Sequence, residues 1–334
     1  MSTRSADTAG PGGSPGGSPA WRERLFTTLQ RRGAIVVLIL VVAVSAVVFD
    51  NFLTEQNLEN IVLQGAFLGL IVVGLTFVII SGGIDLSVGS MLGLGGILAA
   101  LTVQVSWPLA LILPPLACGL IGFGNGLLIA RARMAPFIVT LAGLLGIRGL
   151  ALALAGEKPI GISGSSPFDW FGQGQIFGIS VPVVFVIIAF AVGGLVLART
   201  SYGRIIFAIG GSEESARLMG LPVDRTKVIA YTTSGALAGL AGALLAARLS
   251  AGDPNAGLVW ELDAISAVVV GGTLLTGGAG TMSGSLAGVL LLSILQNLIN
   301  QLGTLGSYAQ QVVSGGFLIV VVVVQAYLSR KERS

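Results

Sequence analysis

Asp85 stands in Ser81–Ser90, SGGIDLSVGS, directly after a 20-residue stretch, Ile61 to Ile80, whose one clearly polar side chain is Gln64. A carboxylate at the end of so long an apolar run is costly unless it is paired, caps a helix or meets water. Because LSVGSMLGLGG follows, Asp85 can accept hydrogen bonds from the first amides of the next helix, as an N-cap does. A direct part for Asp85, with Ser87 beside it, in gating or in a solute path is the other reading, and both stay open. Arg148, in TLAGLLGIRGL, is a second charge within an apolar run. Snorkelling to the interface accounts for it as readily as a contact with a solute or a buried carboxylate. Asn125, Gln296, Asn297, Asn300 and Gln301 add neutral hydrogen-bonding groups. Gln296 and Asn300 share a helix face, as do Asn297 and Gln301. Helix–helix hydrogen bonding explains such amides more often than ligand contact. Still, a path lined by amides and hydroxyls suits a neutral polyol better than an ion.

Other chemistries have little to work with. The chain has no His, so the commonest metal ligand and the usual near-neutral proton carrier are both missing. The single Cys118 supports neither an intrachain disulfide nor a metal site. A phosphate-cradling P-loop needs GxxxxGK[ST], and Lys158, Lys227 and Lys331 are followed by Pro, Val and Glu. No nucleophile and base pair or carboxylate dyad emerges, so no enzyme activity, no metal and no cofactor of its own are expected. No nucleic-acid partner is expected either.

The elements that must position these residues are membrane helices. Hydrophobic residues make up 54% of the 334 positions and charged ones 10%. Mean hydropathy is +0.92. A soluble domain of that composition would have too few charges to cover its surface. Ten segments are apolar enough, or nearly long enough, to cross: about 33–49, 61–80, 86–105, 107–130, 136–155, 181–198, 228–247, 264–276, 284–303 and 309–328. The shortest is 264–276. With the N-terminus inside, 15 of the 18 Lys and Arg residues fall on the inner side; the exceptions are Arg148, Lys158 and Arg248. Asp50, Glu55, Glu59, Glu157, Asp169, Asp253, Glu261 and Asp263 fall in outer loops. This is the positive-inside pattern for ten spans with both termini cytoplasmic. Eight spans with two re-entrant segments would also keep both ends inside. The expected fold is all-α, a polytopic membrane protein of about ten transmembrane helices. Residues 1–32 are expected as a disordered basic tail, 33–328 as the transmembrane domain and 329–334 as a second tail.

Fifty glycines are many for 334 residues. Gly65 with Gly69, Gly89 with Gly93, Gly122 with Gly126, Gly235 with Gly239, and Gly284 with Gly288 form GxxxG pairs that let helix backbones approach closely. Two glycine clusters also resemble each other: Ser81–Ser90 and Thr276–Ser285 (TGGAGTMSGS) both fit [ST]GGxxxxxGS between apolar runs. They read either as related elements of two structural halves or as chance similarity of glycine-rich sequence. Asp85 aligns with Gly280, so only the first copy has an acid.

The longest inner loop, 199–227, reads RTSYGRIIFAIGGSEESARLMGLPVDRTK. Ser212 precedes Glu213 and Glu214, helix formers follow, and Gly220 with Pro222 stops the run. A short capped helix exposing Leu218 and Met219 results, with a docking surface weighed against an ordinary solvated loop.

SGGIDLSVGS, RTSYGRIIFAIGGSEESARLMGL and WELDAISAVVVGGTLLTGGAGTMSGSLAG resemble, in order, segments of the permease subunits of bacterial monosaccharide ABC importers of the ribose, xylose and galactose type. The resemblance runs from about Phe52 to Leu328. It implies a subunit that alternates access for a monosaccharide across the bacterial cytoplasmic membrane. A separate cytoplasmic ATPase would bind ATP and Mg²⁺, an extracytoplasmic binding protein would deliver the sugar, and a second permease copy or a paired permease would complete the unit. It further implies that Glu213, Glu214, Arg217 and Gly220 form the ATPase-coupling interface and that Asp85 and its neighbours belong to the architecture of the path. Ala279 and Thr281 depart from the family's GGxG with a nearby basic residue. An ion-coupled secondary transporter of a small polar solute is the alternative, although it usually needs more titratable groups within the spans.

Overall fold

A computed structural model describes residues 20–162, 166–302, 312, 315 and 316, with side chains from residue 34 onward. In chain order the elements are α1 (Ala20–Val48), α2 (Glu55–Ile80), α3 (Val88–Thr102), α4 (Trp107–Ala130), α5 (Pro136–Ala155), β1 (Ile160–Gly161), α6 (Asp169–Gln173), β2 (Gln175–Ile176), β3 (Ile179–Ser180), α7 (Val181–Arg199), α8 (Ser201–Gly211), α9 (Glu213–Leu218), α10 (Val223–Leu249), β4 (Ala251–Gly252), α11 (Trp260–Val270) and α12 (Met282–Leu302). The fold is all-α, as expected. The strands are two-residue antiparallel pairs, β1 with β4 and β2 with β3, that tie loops together.

Prolines set several helix starts: α4, α5 and α7 each carry Pro in the first two positions, where the missing amide hydrogen is not needed. Gly156, at φ 60°, ends α5 in a left-handed cap. Among the described residues six helices, α2, α4, α5, α7, α10 and α12, are long and apolar enough to cross a bilayer. The apolar part of α1, Ala34–Val48, and the 15-residue α3 are shorter. The span expected at 264–276 is displaced and broken: α11 covers only Trp260–Val270, and residues 271–281 form a turn. Gly272, Gly277 and Gly278 lie there at φ of 90°, 84° and 78°, conformations that leave the helix. α1 begins at Ala20, within the segment expected as a tail, where AWRERLFTTLQRR is rich in helix formers. Residues 1–19, the span expected at 309–328 apart from three positions, and the tail 329–334 lie outside the described residues.

The centre of the molecule is α2, buried continuously from Gly65 to Ile80, together with α10. α10 runs antiparallel to α4. Gly122 and Gly126 receive the backbone of Tyr231 and Val228, and Gly235 and Gly239 receive the carbonyls of Cys118 and Pro114. α3 lies along the other side of α10, with Gly95 against Gly239. Gly284 and Gly288 seat α12 on Gly271 and Ala267 of the α11 segment. These GxxxG pairs therefore act as close-approach sites within one chain, where van der Waals contact replaces the missing hydrophobic drive between helices.

Candidate functional site

Asp85 is fully buried in the turn between α2 and α3. Its Oδ1 accepts from the Ser87 amide at 3.1 Å and from the Ser87 hydroxyl at 2.6 Å, and its Oδ2 accepts from the Ser234 hydroxyl of α10 at 2.9 Å. Asn125 of α4 donates to Ser87 Oγ at 3.2 Å. The Tyr231 hydroxyl of α10 donates to the Ile84 carbonyl at 3.3 Å. Ser87 is itself the residue before α3, so Asp85 holds the entry to that helix from two positions before the cap. Charge-assisted bonds of this kind are the strong ones, and here they join the α2–α3 turn to α4 and α10. Asp85, Ser87 and Asn125 thus come together. Ser234 and Tyr231, which complete the network, are partners that sequence reading missed; their spacing of three on α10 is the signal that could have found them.

The other polar candidates lie elsewhere. Arg148, half-buried, donates from one guanidinium nitrogen to the carbonyls of Pro254 and of Ala256, the latter at 2.8 Å. It turns inward to a loop backbone rather than snorkelling outward. At the end of α12, Asn297 donates to Asn57 Oδ1 at 2.9 Å, and Gln301 reaches Asn57 at 2.9 Å and Asn297 at 3.0 Å. That cluster is helix–helix bonding between α2 and α12. Gln296 is half-buried and Asn300 exposed on the same helix. Two grooves of about 700 and 490 Å³ are predominantly apolar, walled by Val186, Phe190 and Leu197 in one and by Phe77, Val192 and Val196 in the other.

The two glycine-rich turns meet. The Gly278 amide donates to the Ile80 carbonyl at 2.9 Å, the Thr76 hydroxyl donates to Ser285 Oγ at 2.9 Å, and a Cβ on Gly277 would lie 2.8 Å from the Gly82 nitrogen. Gly210 of α8 closes the junction: a Cβ there would run into the Ile80 carbonyl and the Gly278 amide. One end of α8 therefore rests on both turns at once.

Its other neighbour is α9. The Thr200 hydroxyl caps α8 by accepting from the Gly203 amide, and the Ser212 hydroxyl caps α9 by accepting from the Ser215 amide. Glu213 pairs with Arg217 at 3.0 Å and with Lys227, and Arg217 also pairs with Asp224 at 2.5 Å. Burial pushes the Glu213 carboxyl upward, but its bonds to Lys227 and Arg217 and their charges outweigh that and hold it below the ordinary range. Beneath the helix Ile209, Ala216 and Val223 form a small apolar core. Glu213 and Arg217 thus brace α9 against α10. Glu214, Leu218 (84% exposed), Met219 (67% exposed) and Gly220 face outward.

A family model described as branched-chain amino acid transport system / permease component matches residues 57–322. The chain is 42% identical to the ribose import permease protein RbsC of Bacillus subtilis, over 91% of this chain and 94% of that one. It is 39% identical to the RbsC of Escherichia coli K12, over 90% and 96%, and 36% identical to the L-arabinose ABC transporter permease protein AraH of Azospirillum brasilense, over 94% and 92%. No solved structure matches it. A multi-pass helical architecture, a family match over most of its length and relatives covered almost end to end agree: the chain belongs to the branched-chain amino acid transport system / permease component family.

Proposed function

We propose that the chain is the membrane-spanning permease subunit of an ATP-binding-cassette importer that carries a monosaccharide, of the ribose, xylose or galactose type, into the bacterial cell. The observation that carries this reading is its near-full-length similarity to permeases named for ribose and L-arabinose. A separate cytoplasmic ATPase binds ATP and Mg²⁺, an extracytoplasmic binding protein presents the sugar, and two permease copies form the transmembrane unit. Both termini and the α8–α9 hairpin lie in the cytoplasm.

Within this reading α9 is the docking element. Glu214, Leu218, Met219 and Gly220 offer an apolar and acidic face to the ATPase, while the Glu213–Lys227 and Arg217–Asp224 pairs tie the helix to α10 and keep it from shifting alone. Closure of the ATPase moves α9, α8 follows, and Gly210 presses on the turns that carry Gly82 and Gly278. The Asp85 network fixes one of those turns to α10, so the displacement reaches the start of α3 rather than dissipating. Gln296, Asn297 and Asn300 contribute to the packing of α12.

Co-purification and an ATPase assay test the reading. A cytoplasmic ATPase should travel with this chain, a ribose-loaded binding protein should raise its hydrolysis rate, and deletion of residues 212–220 should abolish uptake. Wild-type uptake after that deletion, or uptake that ignores ATP and collapses with an ion gradient, would overturn it.

A further inference from the structure

The segment between β4 and α11 runs inside the helical bundle. Residues 253–259 are not helical, and they descend along α3: Gly252 packs on the Gly96 carbonyl, and the carbonyls of Pro254 and Ala256 face Gly93. Gly257 and Glu261 face Gly89. Gly89 and Gly93 thus differ from the other GxxxG pairs, since they admit an unwound strand and a carboxylate instead of a second helix. α5 gives the depth. Ser90 donates to the Leu144 carbonyl, and Gly93 meets Arg148. At about 1.5 Å per residue these α5 positions lie roughly 12 and 18 Å above Pro136 in a helix about 30 Å long. Asn255, Glu261 and Asp263, which the sequence places in an outer loop, therefore belong to a broken span near the middle of the hydrocarbon.

Such residues cannot face lipid at that depth without a large penalty, and non-helical backbone is tolerated there only inside protein or beside a water-filled cavity. Glu261 and Asp263 are half-buried and Asn255 is exposed, unlike the sealed Asp85. All three ion pairs among the described residues lie within α9 or between α9 and α10, and none includes Glu261 or Asp263. Arg148 spends hydrogen bonds on the Pro254 and Ala256 carbonyls and so fixes the unwound strand from behind.

We propose that residues 253–259 and the first turn of α11 form a polar wall of the solute path, with Asn255, Glu261 and Asp263 hydrogen-bonding a neutral polyhydroxylated solute. The exposed Leu258 and Leu262 alternate with them. A sugar carries hydroxyls at its rim and C–H bonds on its faces, so a wall of carboxylates and an amide interleaved with leucines fits it. The assignment of a sugar rests on the function proposed above; the wetting of the wall does not.

The test uses single cysteines at 255, 261 and 263 in a Cys118→Ser background, in the assembled transporter, with a membrane-impermeant thiosulfonate as probe. Asn255→Cys, Glu261→Cys and Asp263→Cys should react at least about tenfold faster than Leu120→Cys, an exposed apolar position on α4. Equal rates at all four overturn the wall whatever the solute. Glu261→Gln and Asp263→Asn, which keep shape and polarity, should each lower uptake of subsaturating D-ribose about tenfold, the loss of one charge-assisted bond. Unchanged ribose uptake in both overturns the solute contact. Fast labelling of the three cysteine variants together with a wild type that imports no ribose would instead remove the sugar assignment and leave the wall standing.

Discussion

Glu213 shows how much of a side chain's setting only the fold supplies. The family resemblance implies an interface role for it; in the fold its two oxygens are taken by Arg217 and Lys227. Its folded carboxyl sits below the ordinary 4.5, so the stabilisation is fully present above that value and is lost as the pH falls through the folded value. Glu213→Gln should lower the melting temperature at pH 7, and the two proteins should converge as the pH falls below the folded carboxyl's lowered value. The side chain is 40% exposed, so solvent screening limits the effect to no more than about 1 kcal/mol. A gap that widens on acidification would refute the pairing. Asp85 is the opposite case: its helix-entry role was legible from SGGIDLSVGS, but its bond to Ser234, 149 positions away, was not.

At the scale of elements, the junction of α8 with the two glycine-rich turns is the feature on which the proposed coupling rests. Overpacking a close backbone contact costs roughly 1–3 kcal/mol and moves the elements apart. Gly210→Val should therefore leave the ATPase bound while sugar uptake falls at least about tenfold, the equivalent of that energy. Gly211→Ala, one residue on, meets nothing within 4 Å and should transport normally. Equal transport by both variants would show that α8 does not transmit. The repeat of [ST]GGxxxxxGS could be read from the sequence. That its two copies touch each other, and touch Gly210, required the fold.

The whole molecule carries an orientation written in its charges. Arg131, Arg133, Arg199, Arg204, Arg217, Arg225 and Lys227 cluster at the end of the bundle that bears α8 and α9, whereas Phe177, fully exposed at the tip of the β2–β3 hairpin, marks the other end. The positive-inside rule predicts that the first end faces the cytoplasm. With Cys118→Ser as background, Phe177→Cys should react with an impermeant maleimide in intact spheroplasts, and Leu218→Cys only after permeabilisation. The reverse pattern would invert the topology and remove the docking role of α9.

Composition, span length and charge bias by themselves determined that this is a polytopic helical membrane protein, because apolar runs of bilayer length have no other stable use. Local chemistry likewise determined the capped α9, since Ser212, the two glutamates and Gly220 act within a few residues of one another. Only the tertiary structure decided where the span expected at 264–276 breaks. Residues 251–263 have the composition of a loop, and what draws them into the bundle is a groove formed by Gly89, Gly93 and Arg148 on two other helices. Such long-range backbone fit leaves no period in the sequence to read, which is why Glu261 and Asp263 look like outer-loop acids until the helices around them are assembled.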